Sequence, residues 1–127
     1  MIAKAVSAAQ DLHAPALPIV PGHEFAGEVV ALGPGVDAQD GISVGDQVTV
    51  DPSLFCGECY YCRRGRGNLC ERWAAIGVTT AGGAAEYAVA PVANCFRLPD
   101  SVDTADAALI EPLSCAVRGF DVPQAQM

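Results

Sequence analysis

The chain has 127 residues, 51% of them hydrophobic, which is enough to bury one core and marginal for two domains. A formal net charge of −8 argues against nucleic acid or an anionic membrane surface as partner, because both select for positive charge. No apolar run approaches the ~20 residues of a membrane span, and the opening MIAKAVSAAQDLHAPALP lacks an apolar centre followed by a cleavage site, so a cytoplasmic location is expected.

Thirteen glycines and nine prolines divide the chain into short apolar runs, a pattern of many short strands and a mainly β fold. In chain order, PGHEFAGEVVALGPGV predicts a strand from Glu24 to Leu32 closed by a Gly-Pro-Gly turn. A turn at Val44-Gly45-Asp46 leads into a strand from Gln47 to Val50. Two more short strands are expected, Ala85 to Ala90 and Asn94 to Leu98. Asp103 or Thr104 suits the N-cap of a helix starting near Ala105, and a second helical segment follows Pro112, since proline is tolerated in a first turn. The closing residues, 121–127, read as a linker stub. Gly22, Gly27, Gly33, Gly35 and Gly45 read as turn and close-packing positions.

Four of the six cysteines lie in CGECYYCRRGRGNLC, at Cys56, Cys59, Cys62 and Cys70. Two-residue gaps let thiolates turn to one point, and the longer gap brings the fourth round. Four thiolates in a tetrahedron suit zinc and leave no open position, so the site is structural and holds a lobe with little core of its own. Disulfides compete, although residues three apart rarely reach disulfide geometry. An iron–sulfur cluster uses the same four ligands. The spacing and the cytoplasmic context favour zinc. Arg63, Arg64 and Arg66 are placed to offset the −2 charge of a zinc tetrathiolate, with a plain solvated loop as the alternative.

The ordered set PGHEFAGEVVALGPGV, VGDQVTVDP, the four-cysteine lobe, GGAAEYAVAP and IEPLSCAVRG resembles the catalytic, GroES-like domain of zinc-dependent medium-chain alcohol and polyol dehydrogenases, nearest the sorbitol and threonine dehydrogenase branch. The likeness runs from about Pro21 to Gly119. It implies a partly open β-barrel with a protruding zinc lobe, short C-terminal helices and a second, catalytic zinc at the domain cleft. It also implies hydride transfer between a small-molecule alcohol or polyol and NAD or NADP. By motif, His23 matches the family's zinc histidine, and Glu24 and Glu111 match acids that ligate or approach that metal and serve catalysis. Cys115 falls where some alcohol dehydrogenases place a cysteine ligand; its default reading is a small buried apolar residue, as is that of Cys95.

Two family features are not found. The segment 1–20 is divergent or truncated: if Asp11-Leu12-His13 matches the end of the family's CGTDLH, Ala8 stands at a zinc-cysteine position and Gln10 at a hydroxyl-relay position. On this reading the N-terminal strand pair is missing. No G-x-G-x-x-G follows the GroES-like domain of 21–120, so these residues alone are expected to bind no dinucleotide and to turn over no alcohol. Exposed apolar surface is then expected, and with it a homo-oligomer or a complementing Rossmann-domain chain. Set against the enzymatic reading are a free-standing zinc-binding GroES-like module without catalysis, and a zinc-storage or redox-sensing role for the cysteines.

Overall fold

A computed structural model describes residues 2–4 and 18–124. Seven strands are formed: β1 (Ile2–Lys4), β2 (Ala26–Ala31), β3 (Gln47–Val50), β4 (Ser53–Leu54), β5 (Ala74–Ala75), β6 (Tyr87–Ala88) and β7 (Cys95–Arg97). Two helices follow, α1 (Thr104–Ala107) and α2 (Ile110–Gln124). The main sheet has the order β6-β1-β2-β3-β7 and is not closed; β4 and β5 form a separate antiparallel pair.

The strand patterns explain the layering. In β2, Ala26 and Val29 are buried in different clusters, on opposite faces of the strand, while Glu28 is exposed. Val48, Thr49 and Val50 of β3 are buried in succession, as suits a central strand covered on both faces. Phe25, Val50, Leu54, Ala74, Ile76, Ala88 and Ala90 form the largest apolar cluster. Val29, Ile42 and Val48 make a second, and Cys95 packs against both, consistent with its reading as a core residue. A third, of Ala26, Leu98 and Ala107, ties α1 to the sheet.

β3 spans the residues expected of it, and β2 is trimmed at both ends. The strand expected over 85–90 shrinks to β6; just before it, Gly82, Gly83 and Ala84 donate their N–H groups to the Val20, Gly22 and Pro21 carbonyls. Against the expectation of a missing N-terminal strand pair, β1 lies in the sheet, parallel to both β2 and β6. The segment Ala8–His13, with its proposed family positions, lies outside the described residues. Asp103 caps α1, its Oδ1 accepting from the Ala105 N–H at 2.7 Å. Helix α2 starts before Pro112 and runs to Gln124, so residues 121–124 are helical rather than linker. Pro112 sits in the first turn, where its missing N–H leaves no helical bond unmade. No helix among the described residues is long and apolar enough to cross a membrane.

Asn94 clamps the turn that leads out of β3. Its side-chain amide donates to the carbonyls of Asp51 and Ser53, both at 2.8 Å, while its own carbonyl accepts from the Asp51 N–H at 2.9 Å. Asn94→Ala removes both donors from half-buried carbonyls and should cost about 2 kcal/mol. Urea denaturation checks this; a loss below about 0.5 kcal/mol would mean that water replaces the amide without penalty.

Candidate metal centres

The cysteine lobe is inserted between two paired strands of two residues each. β4 enters it and β5 leaves it, with Ser53 opposite Ala75 and Leu54 opposite Ala74. Inside, two 3-10 turns, Cys62–Arg64 and Gly67–Leu69, curl the chain back on itself. The sulfurs of Cys56, Cys59, Cys62 and Cys70 all lie within 4.8 Å of one another. None is in a disulfide. Cys56 and Cys62 are 3.9 Å apart, sulfur to sulfur. A zinc tetrahedron with bonds of ~2.3 Å has edges of roughly 3.8 Å, so the four sulfurs fit that ion.

Backbone amides converge on the same sulfurs. The N–H groups of Cys59 and Cys62 donate to the sulfurs of Cys56 and Cys59, each at 3.4 Å. Cys70 Sγ accepts from Cys56 at 3.4 Å and from Arg72 at 3.3 Å. Such donors stabilise thiolate charge. The Glu58 N–H leads the groups that bring the Cys56 thiol down to about 6, and the Cys62 N–H leads those that lower Cys59. Burial, aided by the neighbouring sulfurs, pushes Cys62 up to about 12. Four sulfurs so close cannot all ionise unaided, and a divalent cation relieves the conflict.

The arginines divide differently from the sequence reading. Arg64 stacks on the Tyr60 ring, 3.6 Å from its centroid, and donates to the Tyr60 carbonyl. Arg72 pairs with Glu58 and also faces the Cys56 sulfur, so a cation at the cluster lies outside the three arginines of the sequence reading. Its partner lies fourteen residues away, across the lobe, and no local pattern announces it.

A second cluster forms where the sheet meets α2. His23 and Glu24 stand just before β2, and Glu111 projects from the first turn of α2. One ligand atom of each lies within 4.8 Å of the others, and His23 Nε2 is 3.9 Å from Glu24 Oε1. The start of α2 is held by the short helix before it: Ala107 is fully buried, and Thr49 Oγ1 donates to its carbonyl at 3.4 Å. An imidazole with two carboxylates is a donor set zinc accepts, with a fourth position left for a small molecule. The cleft beside it, about 570 Å³, is lined by Thr49, Asp51, Phe96, Glu111, Ser114 and Cys115. Cys115 is exposed on this cleft and stands outside the three-residue cluster, which corrects the expectation of a buried apolar side chain. It lies one helical turn beyond Glu111, on the face that looks into open space rather than the core.

An open sheet, a lobe of four convergent cysteine sulfurs and an imidazole–dicarboxylate cluster at a cleft define a β domain with two candidate metal sites. The chain belongs to the alcohol dehydrogenase GroES-like domain family, whose profile matches residues 3–100. The resemblance to zinc-dependent medium-chain alcohol and polyol dehydrogenases is thus membership, for this part of the family's architecture. The chain is 49% identical over 100 residues to the L-threonine 3-dehydrogenase of Pyrococcus horikoshii, covering 79% of this chain and 28% of that protein. Among solved structures, galactitol-1-phosphate dehydrogenase from Escherichia coli superposes with a TM-score of 0.79 at 38% identity, over 87% of this chain and 31% of that one. The alcohol dehydrogenase rspB of Escherichia coli CFT073, solved with NADH, gives a TM-score of 0.73 at 42% identity, over 81% and 30%. The chain therefore spans little more than a quarter of the length of the curated relatives it matches.

Proposed function

We propose that the chain is the metal-bearing catalytic domain of an NAD(P)-dependent alcohol or polyol dehydrogenase, with zinc in both clusters. Convergence of His23, Glu24 and Glu111 beside an open cleft is the observation that carries this reading. On this reading the four-thiolate ion is structural, and His23, Glu24 and Glu111 hold the second. A zinc ion there supplies Lewis acidity toward the oxygen of an alcohol. Glu111, at the mouth of the cleft, orients the substrate hydroxyl, and Phe96 gives the cleft an apolar wall. The named activities of the relatives, on threonine and on galactitol 1-phosphate, support a small secondary alcohol or polyol as substrate.

The nicotinamide cofactor, as the NADH-bound neighbour suggests, is held by a dinucleotide-binding unit packed against this domain. Exposed Leu113, Val117 and Phe120 along α2, the last 76% exposed, supply an apolar face for that unit or for a second copy of the chain. A cytoplasmic setting, where thiols stay reduced, suits the free cysteines.

Metal content tests the reading. The purified chain should carry two zinc ions, and His23→Ala should carry one. In a cobalt-substituted sample, His23→Ala should keep the sulfur-to-cobalt charge-transfer band and lose the signal of the nitrogen–oxygen site. One ion per wild-type chain would instead favour the structural module without catalysis.

A further inference from the structure

His23 hangs on a segment, residues 20–23, that belongs to no strand or helix, yet its imidazole must meet Glu111 to make the second cluster. What locates it is the loop 77–84. Gly82 donates to the Val20 carbonyl at 2.8 Å, Gly83 to Gly22 at 2.8 Å, and Ala84 to Pro21 at 2.9 Å. Three successive carbonyls ahead of His23 are thus held by three successive amides.

The two backbones approach too closely for any side chain between them. A Cβ on Gly77 would lie 2.1 Å from the Gly22 oxygen and 2.8 Å from the His23 nitrogen; one on Gly82 would lie 2.3 Å from the same oxygen. Gly77 also holds a left-handed φ of 78°. Its turn is anchored in turn: the N–H groups of Val78, Thr79 and Thr80 all donate to the Ala75 carbonyl, and Thr79 Oγ1 accepts from the Ala75 N–H at 2.8 Å.

We propose that Gly77 and Gly82 are positioning residues for His23, forming a side-chain-free seat that sets its distance from Glu111. The proposal rests on the reading of His23 as a metal-holding residue. A methyl group at Gly77 meets the Gly22–His23 backbone directly, and one at Gly82 meets the Gly22 oxygen and, at the same 2.3 Å, the Gly77 Cα; either must shift the seat by most of an ångström, which breaks a ligand geometry tolerant of only about half that.

The test compares Gly82→Ala with Gly35→Ala in the full chain. Gly35 has a φ of 84°, but a Cβ there meets nothing within 4 Å, so its substitution brings backbone strain without crowding. Gly82→Ala should keep the thiolate–cobalt band, bind the second cobalt roughly 10–100-fold more weakly, and lose the nuclear Overhauser contact between the His23 ring and the Glu111 side chain. Gly35→Ala should lower the unfolding midpoint and change neither readout. Wild-type behaviour of Gly82→Ala in both readouts would overturn the proposal, as would an equal loss in Gly35→Ala. A wild-type chain that takes no second cobalt would sink the metal reading alone, since the His23–Glu111 contact still decides the positioning role. If Gly82→Ala does not fold, Thr79→Ala, which only loosens the turn, decides. Several-fold weaker second-site binding and a fainter contact with the lobe intact would support the seat, and wild-type values would overturn it.

Discussion

Cys59→Ser should strip the lobe of its zinc and leave the region between β4 and β5 unfolded. Among residues 56–70 only Cys70 is buried, so the lobe has almost no apolar interior to fall back on. Two strands of two residues each hold its base, and so short a pair is not stable alone. Binding energy in such a site is folding energy, about 10–16 kcal/mol for four ligands. Loss of one thiolate should remove about a quarter of that, about 3 kcal/mol, or roughly a hundredfold or more in affinity. The Cys62 N–H, which donates to Cys59 Sγ, would also lose its sulfur acceptor. Zinc quantification after dialysis, with amide exchange over 53–75, reads both effects. A variant that retained a full equivalent of zinc and wild-type protection would show that the four sulfurs do not act as one site.

Phe25→Ala should cost the core about 3–5 kcal/mol, a large part of the 5–15 kcal/mol that holds a typical domain together. The ring is 2% exposed and sits in the largest apolar cluster, against Leu54, Ile76 and their neighbours. It also fills the space that a side chain at position 83 would need, since a Cβ on Gly83 would come within 2.4 Å of Phe25 Cγ. The backbone ahead of it is pinned by the amides of residues 82–84 and the chain after it runs into β2, so the site has little freedom to collapse into the hole. Urea unfolding measures the loss, and a fall of less than about 1 kcal/mol would mean the loop 77–84 relaxes inward. Phe25 follows Glu24 directly, so, on the proposed metal reading, the same variant should weaken binding at the His23–Glu24–Glu111 cluster more than at the four cysteines.

How much of this could be read from the residues depends on the range of each interaction. β3 and the cap at Asp103 are local patterns, and the structure places them at the expected positions. Convergence of the four cysteines was legible because their spacing encodes it. His23 and Glu111 are 88 positions apart, and only family resemblance brought them together before the fold did. β1 escaped because a three-residue parallel strand carries no periodicity of its own; its partners in β2 and β6 supply the reason for its existence. Arg72 and Asn94 escaped for a similar reason, each acting on groups fourteen or more residues away. Gly77, Gly82 and Gly83 look like ordinary turn glycines in the sequence; the neighbouring backbone they admit becomes visible only in three dimensions. Helix α2 outran its expected end because residues 121–124, read as linker, continue it, with a proline at position 123 in its last turn.

Strand β5 emerges from the sulfur lobe and passes straight into the turn that seats His23. On the catalytic reading proposed above, an ion held by the outlying sulfurs would act as a keystone for chemistry it never touches. Chelators or oxidants that attack the outlying thiols would blunt the cleft by slackening its foundations, with every residue of the nearer cluster still intact.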